Sequence, residues 1–273
     1  MAISEYNQMD ALAYGSRMLN WAPLGKLFLA ASLLAVDLIS SSFIVPMATA
    51  VIGISLMAYS TNLRLPKIVG LLILESLAII IICSALVSVM PSEGTTIREL
   101  SVLGIKLTIT DQSFNYALLI FTRSFAGITV MLAFATSTPI PFFANSLRQL
   151  RIPPEIVELT VLIYRYSFLM LEQLQTLWNA ASSRLGFSSF KRSVHSAASI
   201  AVNIFITSLD MAERSGNALA CRNFTGTFPV FRPPRRLSAL WIAGIAAIAA
   251  VLYAVGRYTE GWIDPASLLF GAG

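Results

Sequence analysis

The residues that could do chemistry lie in two settings. Asp37, Glu75 and Arg123 interrupt long apolar runs. Ionised side chains inside hydrocarbon are costly, so they face a bundle interior and pair, or they line an ion pathway. Glu75 with Arg123 is the attractive pair. The second setting is a repeated ending. Ala180-Ala181-Ser182-Ser183-Arg184-Leu185-Gly186-Phe187 and Ala218-Leu219-Ala220-Cys221-Arg222-Asn223-Phe224 each place alanine four residues before arginine. On a helix the two share a face, and the small residue lets a partner approach closely. An arginine there also satisfies free terminal carbonyls and the helix dipole. That local role explains either arginine alone. Its recurrence at the ends of consecutive helices points to docking.

Catalytic and ligand-binding sets are thin. No Gly-x-x-x-x-Gly-Lys-Ser/Thr phosphate loop occurs, and Gly25-Lys26-Leu27 is not one, so ATP hydrolysis is not expected of this chain. His195 is the single histidine, expected on an exposed helix face. No Cys/His/carboxylate cluster has metal-ligand spacing, so neither a metal site nor a cofactor is predicted. Neither a Ser-His-acid set nor paired carboxylates are evident. The basic residues lack interleaved aromatics, which argues against nucleic acid as a partner. Cys83 and Cys221 fall in unlike surroundings and read as two reduced thiols.

The elements that must hold these residues are mostly membrane helices. Of the 273 residues, 56% are hydrophobic and only 12% are charged, with a net charge of +5. A soluble domain carries about 25% charged residues. The bilayer is therefore the natural solvent. The polar, mixed start from Met1 to Tyr14 predicts no cleavable signal peptide. Leu24 to Tyr59 is too long for one span, and Ser40-Ser41-Ser42 with Pro46 predicts a break into two. Further spans are predicted over Ile68–Val89, Tyr116–Ala135 and Leu237–Gly256, about five in all. Ser101 to Thr110 alternates like a hairpin arm.

With the N-terminus in the cytoplasm, 15 Lys and Arg lie inside and 3 outside, with Arg123 within a span. This satisfies the positive-inside rule. Eleven of the inside set fall between Arg148 and Arg236. The expected division is 1–138 with four spans, 139–236 as a cytoplasmic module, and 237–273 as the last span and an external tail. The module should hold a short helix, Phe142–Leu150, and two long ones ending near Arg184 and Arg222. Each long helix would run about 45 Å at 1.5 Å per residue. Val194, Ala198, Ala201, Phe205, Ala212 and Leu219 suggest an apolar face on the second, laid against the first or on the membrane. The fold class is all-α integral membrane protein.

Several stretches together resemble one family. Thr136-Ser137-Thr138-Pro139, then Leu147-Arg148-Gln149-Leu150-Arg151-Ile152-Pro153, resembles its entry to a coupling module. Tyr164-Arg165-Tyr166 and Asp210-Met211-Ala212-Glu213-Arg214 resemble signatures in its two long helices. Asp10-Ala11-Leu12-Ala13 and Pro23-Leu24-Gly25-Lys26 are weaker echoes. The family is the transmembrane T component of energy-coupling-factor transporters, in its CbiQ type from cobalt and nickel uptake.

The resemblance implies a non-catalytic subunit of the plasma membrane, coupling ATP hydrolysis by two ATP-binding cassette subunits to uptake through a substrate-binding membrane partner. It places Arg184 and Arg222, with Ala180 and Ala218, at two Ala-Arg-Gly motifs that dock into the ATPases. Here Ser183 precedes Arg184, Leu185 follows it, and Asn223 stands where the second glycine would be. Because substrate would travel in another subunit, the resemblance favours structural pairing for Asp37, Glu75 and Arg123. A vitamin transporter of the same kind is the first alternative. A self-sufficient secondary transporter using the intramembrane charges is the second, and a membrane enzyme a distant third.

Overall fold

Serine and proline divide the first apolar run. The computed structural model describes residues 12–62, 67–88, 96–102, 105–224 and 238–259. After a 3-10 turn at Arg17–Asn20, helix α1 spans Pro23–Ile39 and α2 spans Ile44–Ser60. Pro23 opens α1, where its fixed φ suits the first turn and no amide bond is lost. Pro46 lies in the first turn of α2, where an amide would go unpaired anyway. Helix α3 covers Lys67–Ser88. An antiparallel hairpin follows, β1 Thr96–Val102 and β2 Ile105–Thr110, with Val102 opposite Ile105 and Thr96 opposite Thr110. Helix α4, Asp111–Ser137, starts on a capping box in which Thr110 and Ser113 exchange side-chain-to-backbone bonds.

The expected short helix is shorter than Phe142–Leu150. Helix α5 covers Ile140–Ser146 and tightens into a 3-10 turn, Leu147–Leu150, closed by Arg151 at φ 61°. Helix α6 spans Pro154–Ser183, α7 spans Phe190–Cys221 and α8 spans Ala239–Thr259. Ser189 caps α7 by accepting from the Arg192 amide.

These helices fall into two compact units. One holds α1–α4, the hairpin and α8. Helix α4 is its axis, with α1, α2 and α3 packed on it, while α8 lies on α1 and α2. Ala30, Leu33, Val36, Val45, Val130 and Leu252 form the main core cluster. A second joins Met57, Val69 and Ala133. Gly53 sets the closest approach of α2 to α4: a Cβ there would stand 2.8 Å from Thr129 Oγ1. Outward faces are apolar, among them Leu74 at 69% and Leu240 at 84% exposure. In water such faces would be unstable; against lipid they are expected. The protein is an all-α integral membrane protein.

Among the described residues, four helices are long and apolar enough to cross a membrane: α3, α4, α7 and α8. The apolar α2, like α1, is 17 residues long, about 25 Å at 1.5 Å per residue. Helix α7 is the outlier. Its best window reaches a mean hydropathy of 1.2, against 2.6 in α3, and it carries Lys191, Arg192, Asp210, Glu213 and Arg214.

The other unit holds α5–α7. Arg148 Nη2 donates to Glu158 Oε1 at 2.9 Å, tying the turn after α5 to α6. Helices α6 and α7 meet at two places. Ser196 Oγ donates to the Gly186 carbonyl at 3.0 Å, and Tyr166 shares a hydroxyl–hydroxyl bond with Ser215. Between the helices opens an apolar groove of ≈ 950 Å³. The face of α7 toward α6 is only in part the one expected. Ala212 and Leu219 line the groove with Ile204 and Ser215, and Ser196 faces the corner after α6, while Val194 and Phe205 are exposed at 54% and 64%. Small hydroxyl residues make the hydrogen bonds on this side, and an apolar periodicity does not record them.

Candidate functional site

Helices α6 and α7 end in the same way. On α6 the Leu185 amide donates to the Ser182 carbonyl at 3.0 Å and the Gly186 amide to Ala181 at 2.9 Å. On α7 the Asn223 amide donates to Ala220 and the Phe224 amide to Leu219, both at 3.1 Å. Each is a Schellman closure, with the residue after the arginine in the left-handed region, Leu185 at φ 56° and Asn223 at φ 51°. Arg184 and Arg222 are the C-caps of their helices. The left-handed position on α6 is therefore held by Leu185, and Gly186 is needed for a different reason. A Cβ there would stand 2.5 Å from Ser196 Oγ and 2.9 Å from the Ala181 carbonyl. The corner is braced further by Trp178 stacked on Phe187 at 4.3 Å.

Because the backbone bonds already close both helix ends, the guanidiniums are not needed there. Arg184 and Arg222 are exposed, and so are Ala180 and Ala218 one turn before them. Neither arginine makes a salt bridge or side-chain hydrogen bond among the described residues. Each of the two helix ends thus presents a cation that is unpaired among the described residues and lies beside a small residue, an arrangement suited to a carboxylate or carbonyl groove on another protein.

The intramembrane charges separate into two cases. Asp37 is 2% exposed on α1, with the Arg123 guanidinium and the Thr49 hydroxyl as its electrostatic neighbours. Arg123 Nη2 donates to the Ser40 carbonyl at 2.5 Å, so it also closes the end of α1. The structure therefore brings Asp37, not Glu75, toward Arg123. Glu75 is exposed on α3 and forms no ion pair among the described residues. The reason is helical phase. Val69, Ile73 and Ile80 turn inward, and Glu75 lies two residues past Ile73, about 200° away around the axis.

Among the described residues no group of three or more His, Cys, Asp or Glu could hold a metal ion. His195 is exposed on α7. Cys83 and Cys221 are free thiols, both exposed.

The family profile described as CbiQ, cobalt transport protein, matches residues 16–234. The chain belongs to the CbiQ family. An uncharacterized protein of Methanocaldococcus jannaschii is 26% identical over 95% of this chain and 96% of its own length. The cobalt transport protein CbiQ of Rhodobacter capsulatus is 31% identical over 45% of this chain and 50% of that protein. A fused cobalt transport protein, CbiMQ, of Methanocorpusculum labreanum is 25% identical over 59% of this chain and 27% of the fusion. As a CbiQ protein the chain is a membrane component of cobalt transport.

The CbiQ match takes in both arginine ends, the intramembrane charges and two buried cation contacts that sequence reasoning passed over. One is Arg148–Glu158, whose ten-residue spacing crosses a turn and two prolines. The other is Lys26, 7% exposed, whose Nζ donates to the Ser137 carbonyl at 2.6 Å across 111 residues. Lys26 was legible as a charge at the start of an apolar run; its partner, a backbone carbonyl, has no sequence signature.

Proposed function

We propose that this CbiQ protein is the T component of an energy-coupling-factor importer for cobalt or nickel. In this reading it carries motion from two cytosolic ATP-binding cassette subunits to a substrate-binding partner in the plasma membrane. The observation that carries the reading is the pair of helix ends with the same closure, each made by its own backbone and each leaving an arginine without a partner among the described residues. The fused relative supports a second component in cobalt transport, since a CbiQ-like part there is continuous with a larger remainder.

The mechanism follows from stiffness. Helices α6 and α7 have 30 and 32 residues and are braced at both contacts. ATP-driven closure of the ATPase pair would displace Arg184 and Arg222 relative to each other. Rigid helices pass such a displacement on with little loss, as in shear between packed elements. The metal ion is cargo of the partner, and the N-terminus and α5–α7 are cytoplasmic in this reading.

The test is charge reversal at the two arginines. Losing a buried charge-assisted contact costs about 2–5 kcal/mol. Arg184→Glu with Arg222→Glu should abolish co-purification of the ATPases while the chain still inserts. Lysine at either site should retain part of the binding, keeping charge without the planar fork. Lys191→Glu and Arg192→Glu are the controls, exposed cations near the α6–α7 corner. Equal loss in the controls would mean diffuse electrostatics rather than docking at two points.

A further inference from the structure

Glu75 lies on the outer face of α3 in a stripe of exposed side chains: Leu71, Glu75, Ile79, Ile82 and Leu86. Their spacing of four, four, three and four residues keeps them on one face. Glu75 is eight residues past Lys67, about 12 Å into a helix about 33 Å long, against a hydrocarbon core of about 30 Å. The carboxyl thus sits at depth with apolar neighbours on both sides. Long basic stems can snorkel to the interface; a glutamate at this depth cannot.

We propose that this face of α3 seats a transmembrane helix of the substrate-binding partner, with a basic side chain of that helix opposite Glu75. The existence of that partner rests on the reading above; the face and its chemistry rest on α3. Bare lipid is a poor occupant, because an ionisable group facing hydrocarbon finds no hydrogen-bond partner. A second copy through the same face is also poor, since a symmetric contact would set Glu75 against Glu75. A cation on a neighbouring helix satisfies the carboxylate and uses the apolar stripe. Ala78, exposed one turn beyond Glu75, lets a second helix come close.

The experiment places a benzophenone-bearing residue in place of Ile79, in cells that make the complete transport system. Irradiation should join this chain to a multi-span membrane subunit. The joined peptide should come from a spanning segment containing Lys or Arg. Glu75→Leu should reduce the product about tenfold, and Glu75→Gln about threefold, since the amide keeps a hydrogen bond. Glu75→Leu makes α3 more apolar, so insertion is not at risk. Adducts with lipid alone, a product with a second copy, a joined peptide without a basic residue, or an undiminished product in Glu75→Leu would overturn the proposal. The Arg184→Glu, Arg222→Glu chain separates the two readings. It should lose the ATPases yet keep the product at position 79. Wild-type chain that retains the ATPases but yields only lipid adducts would sink the α3 face and leave the coupling reading standing. Absence of ATPases from the wild-type complex would do the reverse.

Discussion

At the end of α6 a leucine carries a backbone conformation that glycine would carry with less strain. Leu185 sits at φ 56°, where an L side chain costs about 1–2 kcal/mol. Leu185→Gly should therefore raise the melting temperature of the detergent-solubilised chain, by the equivalent of about 0.5–1 kcal/mol after the added freedom of the unfolded chain is counted. One residue on, the sign reverses. Gly186→Ala should lower stability by about 1–3 kcal/mol, because its Cβ would strike Ser196 Oγ and the Ala181 carbonyl. The same melts decide both: equal effects at the two positions would contradict the division of roles between Leu185 and Gly186.

At the scale of elements, three cations, Lys26 buried and Arg123 and Arg148 half-buried, tie helix ends to their neighbours. Lys26 of α1 holds the Ser137 carbonyl at the end of α4, and Ser60 Oγ donates to Thr136 O beside it at 3.2 Å. Only Thr138 and Pro139 separate that end from α5, so the clamp stands where the chain leaves the membrane unit. Lys26→Met should speed hydrogen exchange at the amides of Ser137, Thr138 and Ile140 by about tenfold or more, and Lys26→Arg should restore part of the protection. Arg123 does the same for the end of α1. Arg123→Ala leaves Asp37 buried without its cation, and should destabilise the chain by about 3 kcal/mol in a thermal melt. Asp37→Asn in that background should recover part of the loss, because it removes the uncompensated charge. Arg148→Ala should cost about 2 kcal/mol, discounted because the arginine is 28% exposed. Its pairing makes it unfit as a neutral control for docking, a use its sequence position alone would invite.

At the scale of the whole molecule, orientation is open to a direct chemical test. Cys221 is exposed beside Arg222, and Cys83 is exposed on α3. In the Cys83→Ser chain, a membrane-impermeant maleimide should label Cys221 only from the cytoplasmic face. Bound ATPases should slow that labelling about tenfold or more, because docking at Arg222 buries the neighbouring thiol. Labelling from outside would reverse the topology and remove the docking idea with it.

By itself the sequence determined the class of solvent, the places where helices start and stop, and the residue that ends each long helix. These are local properties. Apolar runs set α3, α4 and α8 within a few residues, serines and Pro46 set the α1–α2 break, and the repeated Ala-x-x-x-Arg spacing set the two ends. Only the tertiary structure decided which charges meet. Glu75 and Asp37 look alike as single carboxylates in apolar runs, yet a rotation of about 200° on α3 puts one outside while α1 buries the other near Arg123. The same holds for the inner face of α7, where Ser215 bonds to Tyr166 of α6 and Ser196 to the corner after it, while Phe205 is exposed. Helical phase relative to a neighbour is a property of two elements packed together. No spacing within one of them records it, and backbone acceptors such as Ser40, Ser137 and Gly186 leave no mark in side-chain chemistry at all.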